Sequence, residues 1–227
     1  MAEKLLSRFP VPKLEEMPKD IRDQLVAVQA RTGFIPNVFV VLAHRPAELR
    51  AFMAYYQALM EKDEGLTKAE REMIVVATSA ANSCPYCVIA HGAILRIRSR
   101  QPLLADQLTV NYRLADISPR QRLMLDFALQ VSQAAEALEE ADFARLREAG
   151  FSEDEIWDIG AIAALFALSN RMAALTAMWP NEEFYTLGRV APEGKEAGAK
   201  QQGRKASAKG AKDTKGKKKG KAERVSG

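Results

Sequence analysis

Three helix-start signals constrain the fold of this chain more than any other feature of its sequence. In a capping box, Ser or Thr is followed three residues later by Glu or Gln, and each side chain satisfies the other residue's free amide. The chain has this pattern at Thr67–Glu70, Ser118–Gln121 and Ser152–Glu155. Apolar residues follow at helical spacing, and nothing before residue 191 alternates like a strand. The sequence therefore predicts an all-α fold.

The predicted helices account for much of residues 1–191. We expect helices over about 68–81, 85–98, 119–134, 139–148 and 153–177. A break at 82–83 separates the first two helices, a polar stretch follows the second, and Gly150 ends the fourth. Residues 33–37 are predicted to form an ordered loop, because Phe34 and Ile35 would otherwise be exposed. The length of 227 residues and the apolar fraction of 48% are sufficient for a core.

The C-terminal segment differs sharply in composition from the rest of the chain. Residues 192–227 contain 12 Lys or Arg and 4 Asp or Glu, whereas residues 1–191 have a net charge of −4. The segment is rich in Lys, Gly and Ala and has no aromatic residue, so it cannot bury enough surface to offset its ordering entropy. We expect one helical domain over 1–191 and a disordered basic tail over 192–227. The tail is interpreted as a solubilising extension, with weak, salt-sensitive polyanion binding as the alternative.

The sequence also carries a prediction about location. The first residues lack the apolar stretch of a secretory signal, and no segment has eighteen consecutive apolar residues. We therefore expect a soluble, cytoplasmic protein without membrane contact. In a reducing cytosol, two neighbouring cysteines are more often catalytic, redox-sensing or metal-binding than a structural disulfide.

Both cysteines and one of the two histidines lie within eight consecutive residues, Cys84 to His91. With Glu72 upstream, the pattern is E-x11-C-x2-C-x3-H. Pro85 suits the first turn of a helix, so Cys84 lies near the N-cap and Cys87 within the first turn. Free amides and the helix dipole lower a thiol pKa there, and we expect Cys87 to be a usable thiolate. The two sulfurs share one helix face and can close a disulfide.

Glu72 reaches the same site if the helices on either side of residues 82–83 pack as an antiparallel hairpin. Along the chain, Glu72 is three residues farther from Ser83 than His91 is. Three residues rise about 4.5 Å along a helix, a distance that a glutamate side chain can span. Glu72 can then orient His91, His91 can take a proton from Cys87, and Cys84 can attack the oxidised sulfur. This predicts peroxide reduction through a sulfenic acid and a Cys84–Cys87 disulfide that an external reductant reopens.

These four residues resemble the motif of alkylhydroperoxidase D-like (AhpD-like) proteins, within the carboxymuconolactone decarboxylase superfamily. Residues 31–39, 43–46 and 169–172 are similar to the branch called peroxidase-related enzymes, and the resemblance covers residues 5–190. It implies an all-α AhpD-like helical bundle built around the hairpin, and homo-oligomers that are trimers, dimers or hexamers. It also implies a peroxidatic Cys87 and a resolving Cys84, a hydroperoxide substrate, a dithiol or lipoyl-type reductant and no bound cofactor.

One position departs from the best-studied members of that family, which have a histidine between the two cysteines. Here that position is Tyr86, and a tyrosine is a poor base near neutral pH. We assign Tyr86 to substrate access or to the relay. The decarboxylase members of the superfamily act without the cysteine pair, so the resemblance disfavours that activity.

Two alternatives remain open at this point. A zinc site would use Cys84, Cys87, His91 and His44, although the chain lacks a second C-x-x-C motif. A non-enzymatic oligomeric redox sensor or binding protein would use the same thiols to control assembly, without turnover.

Overall fold

The computed structural model of the chain describes residues 5–189. Among these residues the secondary structure is entirely helical, as predicted. The predicted basic tail lies outside the described residues. The ten α-helices are α1 (Lys19–Thr32), α2 (Asn37–Leu42), α3 (Pro46–Met60), α4 (Lys68–Ala81), α5 (Pro85–Ser99), α6 (Leu104–Asn111), α7 (Pro119–Gln133), α8 (Glu140–Glu148), α9 (Glu153–Thr176) and α10 (Glu183–Thr186). One short 3-10 turn precedes α1, and two more lie between α6 and α8.

The predicted helix starts are confirmed. The capping boxes of Thr67, Ser118 and Ser152 are all formed, at the first turns of α4, α7 and α9. Gly150 follows α8 with a φ of 84°, the left-handed conformation that ends a helix at little cost when the residue is glycine. Helices α4, α5, α7, α8 and α9 match the five predicted ranges to within one residue at each end.

Helix α6 lies in the stretch that the sequence pattern left without a helix. It has 8 residues and buries Leu104, Ala105 and Leu108. A helix of two turns offers too few positions for a periodic pattern to stand out. It forms because those three residues pack against the core.

Helix α4 is the centre of the fold. It contacts α5, α6, α7 and α9, and all ten residues from Glu70 to Ser79 are buried. Because this stretch has no solvent-facing side, its polar side chains need partners inside the protein. Arg71, for example, donates to Asp158 of α9 and to the carbonyl of Leu59, each at 2.8 Å. The carboxylate of the neighbouring Glu72, which is also buried, likewise needs a partner inside the protein.

The turn between α4 and α5 fixes the position of Cys84. Ser83 adopts a left-handed φ of 52°, its amide donates to Ala80, and the amide of Cys84 donates to Ser79 at 2.9 Å. These two bonds form a Schellman motif, which ends α4. Cys84 is also the N-cap of α5. The backbone of Cys84 is therefore held by the end of one helix and the start of the next.

Helices α1, α2 and α3 form a smaller apolar cluster beside the main core. Its buried members are Met17, Ile21, Leu25, Ala43 and Leu49. The loop after α1 is ordered by burial, as predicted, because Phe34 enters the main core and packs edge-on against Phe184 at 5.0 Å. The structure starts α2 at Asn37, the last residue of the predicted loop.

Helix α9 is long and apolar enough to cross a membrane by length and composition alone. Half of the relevant window is buried inside the protein, and a buried core helix meets the same criteria. The length and composition of α9 are therefore only weak evidence that it crosses a membrane.

Candidate active site

The two cysteines lie at the N-terminus of α5, beside α4 and α9. Both are free thiols, and their exposed fractions are 4% for Cys84 and 1% for Cys87. The two thiols lie close enough to shift each other's pKa in opposite directions. The sulfur of Cys87 also lies 3.7 Å from the hydroxyl of Ser169 in α9. The predicted pairing of the thiols at one end of the helix thus gives two neighbouring free thiols.

The structure lowers the pKa of Cys84 from its ordinary value of 9.0 to about 7. The main cause is the hydrogen bond from Cys87, which outweighs the opposing effect of burial. The Cys84 side chain accepts no N-cap hydrogen bond. The backbone amides of Cys87 and Tyr86 nevertheless favour its thiolate and so help to lower its pKa. The negative charge of the pair therefore rests on Cys84.

The same contact raises the pKa of Cys87 well above its ordinary value, first through its hydrogen bond to Cys84 and then through burial. The sequence pattern had placed the usable thiolate on Cys87. The difference arises because backbone amides of α5 favour the thiolate of Cys84, and because two neighbouring buried thiols hold only one charge easily.

The predicted contact between Glu72 and His91 is present. Nδ1 of His91 lies 2.7 Å from Oε2 of Glu72, and both residues are buried. A neutral imidazole that donates from Nδ1 to the carboxylate keeps a free lone pair on Nε2. His91 follows Cys87 by one helical turn, so this nitrogen is available for proton exchange on the same side of α5.

Arg98 is a member of the site that the motif does not include. Its Nη1 lies 3.4 Å from Oε1 of Glu72, an oxygen that makes no hydrogen bond of its own, and its Nη2 lies 2.6 Å from Glu61. Arg98 follows His91 by seven residues, or two helical turns, and that spacing is the signal that could have identified it. It supplies positive charge to a carboxylate that is otherwise buried without a cation.

Aromatic rings surround His91. Phe166 packs edge-on against the imidazole at 4.7 Å, and the ring of Tyr56 lies 6.2 Å away. Burial raises the pKa of Tyr56, and the charge of Glu72 adds to this effect. The Tyr56 hydroxyl therefore stays neutral beside the histidine.

Ser169 and Asn170 of α9 also lie at the cysteine site, and the sequence pattern predicts no chemical role for them. Asn170 hydrogen-bonds to Asn82 and Ser79, each at 3.0 Å, and its side chain favours the thiolate form of both cysteines. Both residues lie more than eighty positions from the cysteines. Only the packing of α9 against α4 and α5 brings them to the sulfurs.

Tyr86 is buried, and its hydroxyl accepts a hydrogen bond from the amide of Val38 at 3.0 Å. Burial raises its pKa. The residue ties the first turn of α5 to α2.

The four ligands of the zinc alternative do not form a cluster in the structure. His44 is exposed and packs near the ring of Phe9 at 5.9 Å. Within residues 5–189, no group of three or more His, Cys, Asp or Glu side chains is arranged to hold a metal ion.

The fold and this cysteine–histidine–glutamate arrangement define an AhpD-like protein, and comparisons with known proteins agree. A sequence profile of the Carboxymuconolactone decarboxylase family matches residues 46–100, which include all four motif residues. A peroxidase-related protein from Ralstonia eutropha JMP134, described as having an alkylhydroperoxidase AhpD core, is 62% identical, with a TM-score of 0.81; the match covers 83% of this chain and 99% of that one. A peroxidase-related protein from Silicibacter sp. TM1040 is 39% identical, with a TM-score of 0.79 and the same coverage.

The chain therefore belongs to the AhpD-like, peroxidase-related branch of the carboxymuconolactone decarboxylase superfamily. A more distant structure, the debrominase Bmp8 in complex with 2,3,4-tribromopyrrole, shares the fold at 18% identity and a TM-score of 0.63, over 81% of this chain and 95% of that one. A search of curated proteins returns no significant match.

Proposed function

We propose that the protein reduces hydroperoxides through a thiol–disulfide cycle in which Cys87 is peroxidatic and Cys84 is resolving. The observation that carries the proposal is the buried Glu72–His91 bond on the same helix pair as two free thiols. A structural cysteine pair has no need of a buried, oriented imidazole beside it. The two similar proteins described as peroxidase-related support the same activity.

The cycle balances with one external dithiol. The Cys87 thiolate attacks the terminal oxygen of the hydroperoxide, an S–O bond forms as the O–O bond breaks, and the alkoxide leaves as an alcohol after taking a proton. The Cys84 thiolate then attacks the sulfur of the Cys87 sulfenic acid, and the hydroxyl leaves as water after protonation. An external dithiol, for which a lipoyl carrier is our candidate, reduces the Cys84–Cys87 disulfide and becomes a disulfide itself.

The uneven pKa values of the two thiols fit these roles. Cys84, with a pKa of about 7, is ready as the resolving nucleophile. Cys87 holds its proton more tightly, so its attack requires a base, and proton removal by a positioned side chain is what His91 can supply. Glu72 orients the imidazole through its bond to Nδ1, and Arg98 balances the charge of Glu72. Tyr86, whose hydroxyl is bonded to the backbone, is assigned an anchoring role instead of a place in the relay.

The protein is further proposed to act as a cytoplasmic homo-oligomer without a bound cofactor. The homo-oligomer and the dithiol partner are proposed from the family resemblance. Contact of the basic tail with polyanions is proposed from the composition of the tail.

Steady-state consumption of cumene hydroperoxide with several dithiols, including a lipoyl carrier, tests the proposal. We expect turnover by the wild-type protein and none by Cys87→Ser. Turnover by Cys87→Ser at the wild-type rate would contradict the assignment. Size measurement of the oxidised and reduced protein separates the sensor alternative, which predicts a change of assembly without turnover.

A further inference from the structure

An apolar cavity of about 690 Å³ lies between α2, α3 and α9. Its walls are formed by residues such as Val41, Phe52, Leu165 and Met172. At its mouth, Tyr55, Leu168 and Leu175 are each about half exposed. A volume of several hundred Å³ lined mainly by apolar side chains is typical of a site for a small organic molecule.

The cavity leads to the thiols through one side chain. Ser169 lines the cavity and also lies 3.7 Å from the sulfur of Cys87. Of the two other hydroxyl-bearing residues in the lining, Thr176 donates to the carbonyl of Met172 at 2.8 Å, and Tyr55 is about half exposed at the mouth. The charged or ring-nitrogen side chains in the lining, those of His44, Arg45 and Glu48, are exposed. Ser169 is thus the buried hydroxyl beside Cys87 that can meet the reacting end of a bound molecule.

We propose that this cavity binds the carbon skeleton of an organic hydroperoxide, with the peroxide group directed past Ser169 toward Cys87. The substrate class is a hydroperoxide on a bulky apolar body, of at least the size of a phenylalkyl group, in preference to hydrogen peroxide. This proposal rests on the proposed function and adds to it the place and the selectivity of binding. Burial of the apolar body supplies affinity that hydrogen peroxide cannot gain, because it has no carbon atoms.

The cavity also explains how a small molecule meets a buried sulfur. Cys87 is 1% exposed, so a substrate must pass through the protein surface to reach it. The hydroxyl of Ser169 can donate to the peroxide oxygen as readily as to sulfur. A bound substrate would thus exchange one hydrogen bond for another at the moment it contacts Cys87.

Two alanines on α3 offer a matched pair of variants. Both alanines are exposed, but Ala51 lines the cavity and Ala54 is absent from the lining. We expect Ala51→Trp to fill the cavity with its indole ring. Ala54→Trp adds the same ring to the surface and serves as the control.

Binding is measured apart from catalysis, in proteins that also carry Cys87→Ser. The probe is 2-phenyl-2-propanol, the alcohol formed from cumene hydroperoxide, detected by saturation-transfer NMR. The expected result is a clear transfer signal that Ala51→Trp reduces at least fivefold and Ala54→Trp preserves. No signal in the parent protein, or an equal signal in the two tryptophan variants, overturns the proposed site.

Kinetics test the substrate class with the Cys87-containing proteins. The wild-type kcat/KM for cumene hydroperoxide is expected to exceed that for hydrogen peroxide by at least about tenfold. Ala51→Trp should lower this ratio at least about fivefold, and Ala54→Trp should leave it unchanged. A wild-type ratio near 1 overturns the selectivity. If neither peroxide is consumed, the proposed function fails while the NMR result still decides whether the cavity binds the alcohol.

Discussion

The pKa of Cys84 is predicted to depend on the thiol of Cys87. The structure lowers it from 9.0 to about 7, and the hydrogen bond between the two thiols is the largest cause. This difference corresponds to about 3 kcal/mol in favour of the Cys84 thiolate, and at pH 7 it leaves about half of Cys84 charged instead of about 1%. Cys87→Ala removes the hydrogen bond and keeps Cys84 largely buried. We therefore expect the pKa of Cys84 to rise by at least about 1 in this variant.

The assay is the rate of alkylation of Cys84 by iodoacetamide across a range of pH, with the modified peptide quantified by mass spectrometry. Limited access lowers the height of the rate curve but leaves its midpoint at the pKa. Cys87→Ser is the matched control, because its hydroxyl keeps a hydrogen-bond donor beside Cys84 and should hold the midpoint closer to that of the wild type. An unchanged midpoint in Cys87→Ala would refute the reasoning, since the helix terminus alone would then account for the low pKa.

Three further outcomes follow from the same structure. Because a thiolate is the reactive form and the pKa of Cys84 is lowered to about 7, the rate at which the Cys87 sulfenic acid closes to the disulfide, measured by stopped flow after one peroxide pulse, should be half-maximal near pH 7 and level off about one pH unit above it. A midpoint near 9 would contradict this. Asp158→Ala leaves the buried guanidinium of Arg71 without its carboxylate, so urea unfolding should show a free energy of unfolding lower by about 3–5 kcal/mol. Lys62→Ala removes a half-exposed partner of Asp158 and should lower it by less than about 1 kcal/mol. Equal losses in the two variants would count against the role of burial. Glu72→Gln should lower the rate of steady-state hydroperoxide consumption at least about tenfold. Glu61→Gln, which changes the other carboxylate paired with Arg98, should keep a rate within about twofold of the wild type. Similar rates for the two variants would remove Glu72 from the relay.

The fold was predictable where its signals are local. A capping box involves residues three positions apart, so Thr67, Ser118 and Ser152 identify helix starts without knowledge of the tertiary structure. Helix α6 has no such local signal and owes its existence to three buried residues. Likewise, the bond between Arg71 and Asp158 joins residues 87 positions apart. Only the packed structure gives a buried arginine its partner.

The site was predictable along one helix pair and not beyond it. The spacing of Glu72 and His91 on either side of the turn was enough to predict their contact, because helical geometry is regular. Ser169 reaches Cys87 from α9 and has no sequence relation to it. The distribution of charge between the thiols was also out of reach, because it depends on which sulfur donates the shared hydrogen bond.

The identity of the sulfur that meets the peroxide is the most direct test of the proposed cycle. Each single cysteine variant, Cys84→Ser and Cys87→Ser, is treated with one equivalent of cumene hydroperoxide in the presence of dimedone, which traps sulfenic acids, and is then analysed by mass spectrometry. The account predicts that Cys84→Ser consumes one equivalent and carries the adduct on Cys87, while Cys87→Ser consumes none and carries no adduct. Consumption by Cys87→Ser with an adduct on Cys84 would contradict it.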